Sequence, residues 1–532
     1  MLRFTRKTDY AVQALLHMAA GEASGPVSAR EIAACHDIPV QLTAKLLQAM
    51  ARAGLCESRL GSRGGYRLAQ PAAAISLKAI IEAVEGAGDD TEGAAAVCGY
   101  SAPLAAVREE LARQFAALSL VELAGHRAAP VRAARPIYLD NQATTPMDPR
   151  VREAMAPFFD ARFGNAASRQ HSYGWEAAAA VKGARASVAA LVGAEPGGLI
   201  WTSGATESNN LAIKGVAEAY AGRGKHLITC ATEHPAVLDP MKALARRGWE
   251  LSVLCVDNDG RLDLAELAAA LRDDTVLVSL MAANNEIGLL HPLADVGAMV
   301  RARGALLHVD AAQAAGKIPL DMEALQIDLM SLSAHKLYGP KGVGALAVRR
   351  GTPRVRLEPQ LHGGGHEKGL RSGTLNVPGI VGFGEAAKIA VEEMASETAR
   401  LDHLRDRLLA GLRERVPGVV LNGAPSPRLA GNLNLSIVGV EADGLLMRIR
   451  DVALSSASAC SSATDAPSHV LSAMGLPPAR VRSALRLSLG RFNTADEVER
   501  VVDAIAEAVA DLRAADPRRD PETTTSTRSS TA

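Results

Sequence analysis

The chain has 532 residues, with 58 Lys and Arg against 58 Asp and Glu, and it is 48% hydrophobic but only 3% aromatic. That length allows roughly three to four domains of ~150 residues, and the composition is that of a globular protein rather than a disordered or collagen-like chain. The balanced charge excludes a whole-protein attraction to nucleic acid or to an anionic membrane, and no apolar run approaches the ~20 residues of a membrane-spanning helix.

In chain order, the opening MLRFTRK followed by AVQALLHMAA has the outline of a signal peptide. Gln13 and His17 interrupt the apolar run, so the segment reads as an amphipathic helix instead. VSAREIAACHDI (27–38) places Ser28 as N-cap with Glu31 three residues on, the capping-box spacing. PVQLTAKLLQAMARAG (39–54) sets Val40, Leu42, Leu46, Leu47 and Met50 near helical spacing and stops at Gly54. LCESRLGSRGGYRLAQ (55–70) reads as two short strands around a Gly-rich turn. Helix, helix, turn, helix and hairpin is the order of a winged helix-turn-helix. Residues 1–70 carry nine Lys/Arg against five Asp/Glu, whereas 71–127 carry four against eight. The positive charge lies where a recognition helix and wing meet phosphate. Gln41, Thr43, Lys45 and Gln48 on the helix, with Arg59, Arg63 and Arg67 on the wing, are therefore the candidate DNA contacts. The competing reading of the same charge is a solvated surface.

The opening TRKTDYAVQALLHMA and the wing RGGYRLA resemble the IscR-type winged-helix regulators, which sense iron–sulfur status or redox stress. The resemblance covers about residues 1–125. Many members hold a cluster through three cysteines before the last long helix. Here that segment, GAAAVCGYSAPLAAVREEL, keeps Cys98 alone, with Ala102 where a further cysteine often stands. One thiolate does not supply a cluster's ligand set. The resemblance thus implies the fold and a DNA partner, with no metal expected.

AGHRAAPVRAARP (124–136) reads as a linker, placed at 126–136 after a 1–125 domain. From Pro136 to about Ala515, short apolar runs (LITCAT, ELSVLCV, TVLVSLMA, ALLHVDAA, LMSLSAH) alternate with helix-length segments. That pattern implies an α/β fold with a mostly parallel sheet covered on both faces, and ligands beyond the carboxyl ends of its strands. RVVDAIAEAVADLR (500–513) has the apolar spacing of a packed helix. Residues 516–532 read as a disordered tail. The six cysteines (Cys35, Cys56, Cys98, Cys230, Cys255, Cys460) include no CxxC pair, which fits a reducing, cytoplasmic setting.

The expected strand ends are rich in polar residues. WTSGATESNNLAIKG (201–215) is a Gly-containing turn opening a helix, where backbone N–H groups and Thr206 can cradle a phosphate. HVDAAQ (308–313) ends a buried strand on Asp310, costly unless paired with a cation. SLSAHKLYGPKG (331–342) ends another with Ser333, His335 and Lys336, and a cleft lysine is a candidate Schiff-base former. Singly, Asp310 reads as well as a helix cap, His335 as a core histidine and Lys336 as a surface charge. Together, a phosphate turn, then an Asp, then a Lys 26 residues later is the order a pyridoxal phosphate enzyme needs. The Asp keeps the pyridine nitrogen protonated and the Lys holds the aldehyde as an imine.

From Ile137 to about Leu512 the chain is similar to the cysteine desulfurases of the NifS/IscS type. YLDNQATTP, FGNAASRQH, TSGATESNNLAIKG, TEHPAV, NNEIG, HVDAAQAAGK, SAHKLYGPKG, RSGTLNV, SSASACSSA and RLSLGRF carry the similarity. It implies a fold-type I pyridoxal phosphate enzyme, with a large domain over 150–392 and a small α+β domain from 137–149 and 393–515. It implies that Lys336 bonds the cofactor and shuttles the Cα proton. Asp310 faces the ring nitrogen, Gln313 the ring oxygen, and His234 stacks on the ring. Asn285 helps to position cofactor or substrate, and Arg486 clamps the substrate carboxylate. Ala205, Thr206, Ser333 and His335 hold the phosphate. Thr374 reaches the site of a neighbouring subunit, which implies a homodimer.

Cys460 lies in SSASACSSATDAPSHVL, a run of small and polar residues that reads as a mobile loop. A nucleophilic thiol must be reachable. The resemblance implies that Cys460 takes sulfur from L-cysteine as a persulfide, leaving L-alanine, and delivers it to a scaffold protein for iron–sulfur cluster assembly. The expected function is thus a cysteine desulfurase fused to a DNA-binding regulatory domain. Two alternatives stand beside it: a transcriptional regulator with a sulfur-sensing enzyme half, and a selenocysteine lyase-like activity.

Overall fold

The structure is a computed structural model that describes residues 6–20, 26–36, 38–59, 64–85, 113, 115, 117–120, 136–456 and 467–515. It divides into two compact units, Met1–Ala134 and Arg135–Ala532.

In the first unit, α1 (Arg6–Ala20), α2 (Ala29–His36) and α3 (Val40–Arg52) precede an antiparallel hairpin of β1 (Cys56–Arg59) and β2 (Gly65–Leu68), and α4 (Leu77–Glu85) follows. Ser28 caps α2 by accepting from the Glu31 N–H at 3.2 Å. Leu15, Ile32, Leu47, Met50, Ile75 and Ile80 make a small closed core. That is the winged helix-turn-helix order. Gln41, Lys45 and Gln48 are exposed on α3, and Arg59 and Arg67 on the wing. Thr43 is a correction: it is 1% exposed and its hydroxyl donates to the Pro39 carbonyl at 3.2 Å. With Leu46, Leu47 and Met50 it occupies the inward stripe of α3, so it does not belong to the DNA-contact face. Arg63 and Cys98 lie outside the described residues.

The second unit opens on β3 (Ile137–Tyr138) and is built on a seven-stranded sheet. Its strands are β4 (Leu199–Thr202), β5 (His226–Cys230), β6 (Glu250–Leu254), β7 (Thr275–Met281), β8 (Leu306–Asp310), β9 (Leu329–Ser333) and β10 (Gly344–Val348), in the order β4-β10-β9-β8-β7-β5-β6. β10 runs antiparallel to both β4 and β9, and the remaining pairs are parallel. Alternate side chains feed two cores: Leu199 and Trp201 face one side of the sheet and Ile200 the other. Such two-sided cover is what near-continuous apolar strands require. Among the helices, α5 (Ser172–Leu191), α6 (Ala205–Tyr220), α7 (Pro235–Ala245) and α8 (Leu293–Ala302) accompany the sheet.

A 39-residue helix, α9 (Val377–Arg415), then spans two cores. Its first half buries Ile380, Phe383, Ala387 and Ala390 with the sheet, and its second half buries Leu401, Leu404, Leu408 and Leu412 in a separate cluster. That second cluster packs beneath β11 (Val419–Leu421), β12 (Asn432–Ile437), β13 (Val452–Ala453), β14 (Ser455–Ser456), β15 (Ala484–Ser488) and α10 (Ala495–Ala515). β11, β12, β15 and β14 form an antiparallel sheet, while β13 pairs in parallel with β3.

Candidate functional site

Strand ends and one helix start converge on a cavity of about 620 Å³, a size typical of small-molecule sites. β4 leads through Ser203 and Gly204 into α6, β5 leads to His234, and β7 leads to Asn285. β8 ends on Asp310, and β9 ends on Ser333 ahead of His335 and Lys336. Asp140, Gln142, Ala143 and Thr144, beyond β3, and Arg486 of β15 complete the wall. Of the residues expected from the sequence, Ala205, Thr206, His234, Asn285, Asp310, Gln313, Ser333, His335, Lys336 and Arg486 all line this cavity. Thr374 does not: it is exposed and absent from the lining. Cys460 lies outside the described residues.

At one end, α6 presents its N-terminus. The first N–H groups of a helix have no intrahelical acceptor, and the helix dipole favours an anion there. Gly204, with φ of +156°, makes the entry turn. Close packing sets its position: a Cβ on Gly344 would stand 2.6 Å from the Gly204 Cα. Thr206 and Ser333 add hydroxyls and Lys341 adds charge. His335 Nδ1 is 3.1 Å from the Thr144 hydroxyl. Burial pushes His335 down to about 4, with Lys336, Lys341 and Lys317 acting in the same direction, so the ring is neutral at pH 7.

At the other end, both Asp310 oxygens are held. Oδ2 accepts from Asn209 Nδ2 at 2.7 Å and Oδ1 from the Ala312 N–H at 2.9 Å. Lys336 Nζ donates to the Ala143 carbonyl at 2.9 Å and also to the Gln142 carbonyl. Gln313 Nε2 donates to that same Gln142 carbonyl at 2.9 Å. His234 caps α7, its Nδ1 accepting from the Ala236 N–H at 3.1 Å. Burial lowers its pKa, with Lys336 and His469 adding to the shift and Asp310 opposing it. A neutral ring whose Nδ1 accepts carries its proton on Nε2. Arg486 gives one guanidinium nitrogen to the Asn285 carbonyl at 3.0 Å and another to Asp140 at 2.8 Å.

Two buried carboxyls back this wall. Glu233 accepts from the Met281 N–H at 2.7 Å, and burial raises its pKa well above the usual range. Glu286 accepts from the Ser468 hydroxyl, and burial pushes it up to about 7. Asn209, Gln142 and Asp140 were not singled out in the sequence, although DNQATTP and SGATESNN carry them. Their signal was membership of those motifs, since nothing in their spacing points to Asp310, Lys336 or Arg486.

The donor set fits pyridoxal phosphate. A helix N-terminus with two hydroxyls suits its phosphate. A strand-end carboxylate held by Asn209 suits a protonated ring nitrogen, and an amine held by two carbonyls suits its aldehyde. Asn209 lines the cavity, and its Oδ1 is buried without a partner among the described residues.

Residues 137–501 match the family Aminotransferase class-V, and residues 4–125 match Iron-dependent Transcriptional regulator. The chain is 56% identical over 382 residues to the cysteine desulfurase IscS of Anaeromyxobacter sp. (strain Fw109-5), covering 72% of this chain and 94% of that protein. It is 53% identical over 384 residues to the cysteine desulfurase IscS of Tolumonas auensis (strain DSM 9187 / NBRC 110442 / TA 4), covering 72% and 95%. A solved NifS-like protein superposes with a TM-score of 0.66 at 39% identity, covering 70% of this chain and 99% of that one.

Proposed function

The chain belongs to the aminotransferase class-V family, and on that premise we propose that it is a cysteine desulfurase whose N-terminal winged helix binds DNA. The observation that carries the enzyme reading is the convergence of Lys336, Asp310 and the start of α6 on one cavity.

Pyridoxal phosphate, when bound, supplies an electron sink for the charge formed when Cα loses its proton. Asp310 holds the proton on the ring nitrogen, and Asn209 and the Ala312 N–H hold Asp310 in place. Thr206, Ser333, His335 and the Ala205 N–H bind the phosphate. Arg486 takes the carboxylate of L-cysteine; its planar fork suits a two-point contact, and its bond to the Asn285 carbonyl orients it. Lys336 is the amine that would hold the cofactor aldehyde, and in its uncharged form it would accept the Cα proton and later return a proton to the three-carbon product. Nε2 of His234 is the second proton carrier at the cavity wall. Cys460 attacks the substrate sulfur: its thiolate forms the S–S bond as the substrate C–S bond breaks. The sulfur stays as a persulfide on Cys460 and L-alanine leaves. The motif SSASACSSA and the nearby cavity-lining Ser455 support that role.

Thr374 is exposed and does not line its own cavity, which supports the reading that it serves the phosphate of a second copy in a homodimer. A scaffold protein of iron–sulfur assembly receives the sulfur in the cytoplasm. Gln41, Lys45 and Arg59 contact DNA through their exposed positions. No helix among the described residues is long and apolar enough to cross a membrane.

Absorbance and product assays test the enzyme reading. The purified protein should show a visible cofactor band that Lys336→Ala abolishes. Cys460→Ala should keep the band and lose persulfide and sulfide release. Full sulfur transfer by Cys460→Ala would refute the proposal. For the DNA reading, Lys45→Ala should lower operator affinity and reduce the salt slope by about one. Binding that is absent, or independent of salt, would refute it.

A further inference from the structure

Behind the cofactor cavity lies a smaller one of about 40 Å³, whose wall includes Gln142, Lys317, Tyr338, Glu397, Thr398 and Asn432. A space of this size, with Gln142, Lys317 and Glu397 in its wall, has room for water. Gln142 lines both cavities. Lys317 stands four residues after Gln313, and its amine donates to Gln313 Oε1 at 3.5 Å. Gln313 Nε2 in turn donates to the Gln142 carbonyl at 2.9 Å, and that carbonyl also accepts from Lys336 Nζ. Three links thus join the outer amine to the reactive one.

The two ends of a glutamine amide are nearly equal in shape, so partners alone decide which end faces the cavity. An ammonium can only donate. Placed at Oε1, it acts together with the Gln142 carbonyl, which accepts from Nε2 at 2.9 Å, so that donor and acceptor hold the two ends of the amide in one orientation. We infer that Lys317 is a positioning residue that, with the Gln142 carbonyl, locks the Gln313 amide so that an N–H, and not an oxygen, meets the ring oxygen of pyridoxal phosphate. The inference rests on the cofactor reading above. Keeping a charged amine here is costly, which an apolar side chain would avoid. Burial pushes Lys317 down to about 7 and Lys336 and Arg486 push the same way, against Glu397. His335 and Tyr338 also face this group. The negative charge of a bound cofactor acts on the same side as Glu397 and favours the charged amine.

The test compares Lys317→Met, Lys317→Gln and Lys317→Arg proteins loaded with pyridoxal phosphate. The pH midpoint of the visible band reports the proton shared between Lys336 and the ring oxygen, and dilution reports the cofactor release rate. Loss of a correctly turned donor should raise the midpoint by about one unit and speed release about tenfold in the Met and Gln proteins. Arg, which keeps the charge, should restore most of both. A folded Lys317→Met protein with parental midpoint and release rate would overturn the inference. Failure of both Met and Gln proteins to fold would also overturn it, by assigning Lys317 to stability alone. Failure of the cofactor reading itself would look different: the parent protein would show no visible band.

Discussion

Arg486 is 2% exposed and already spends two nitrogens on Asp140 and on the Asn285 carbonyl, so its task depends on shape as much as charge. Lysine keeps the charge but offers a compact ammonium with three rotatable donors in place of the planar fork. Arg486→Lys is expected to raise KM for L-cysteine by about tenfold to a hundredfold, with a smaller change in kcat, measured by steady-state alanine formation. His291 poses the opposite case. It is buried, and neither ring nitrogen has a partner among the described residues. Burial pushes it down to about 4, so between pH 6.5 and 4 the unfolded chain binds more protons than the folded one and stability falls as acid is added. His291→Leu should stabilise by about 1 kcal/mol at neutral pH, and the gain should grow as pH falls through that window. Urea unfolding at several pH values checks this, read as variant minus parent because the raised Glu233 and Glu286 act in the opposite sense. Lys336, Asp310 and Arg486 were legible because each sits in a long motif. Asn209 and Lys317 were not, because their meaning comes from which side chain the fold brings beside them. Thr43 was misread although the sequence held the answer: positions 43, 47 and 50 share one helix face.

At the scale of elements, the strands were legible as short apolar runs, but the direction of β10 was not drawn from them. A parallel return needs a crossover of a dozen or more residues. Only residues 334–343 lie between β9 and β10, so the chain doubles back and β10 runs antiparallel. That return carries His335 and Lys336, which sets the proposed reactive amine on the shortest connection between neighbouring strands of the sheet. It also presses Gly344 against the phosphate turn. In Gly344→Ala the new methyl would meet the Gly204 Cα and the Leu332 carbonyl oxygen, each at 2.6 Å. Both obstacles are backbone and cannot step aside as a side-chain tip can. The variant is expected to lose about 1–3 kcal/mol of stability. It should also bind pyridoxal phosphate more weakly, since the displaced atoms belong to the phosphate turn. Thermal unfolding and cofactor titration measure the two effects separately. Destabilisation without weaker cofactor binding would show that β10 does not set the turn.

For the whole molecule, the sequence marked a break near residues 124–136 by composition, and the contacts divide the chain at Ala134 and Arg135. Inside the larger unit, the two apolar clusters share a continuous helix, α9, whose halves are each packed in one of them, so neither cluster can open without exposing part of the same helix. The sheet and the smaller antiparallel layer are therefore expected to melt together. The winged-helix unit, with a core of its own, is expected to melt apart from them. Calorimetry of the full chain should show two transitions. A ligand stabilises only the unit whose folded form it binds, by about 2.7 kcal/mol at a concentration of 100 Kd. Loading pyridoxal phosphate should therefore raise the larger transition and leave the smaller one where it was. An operator duplex should do the reverse. If either ligand moved both transitions together, the two units would be energetically coupled, and occupancy of the enzyme site would be readable at α3.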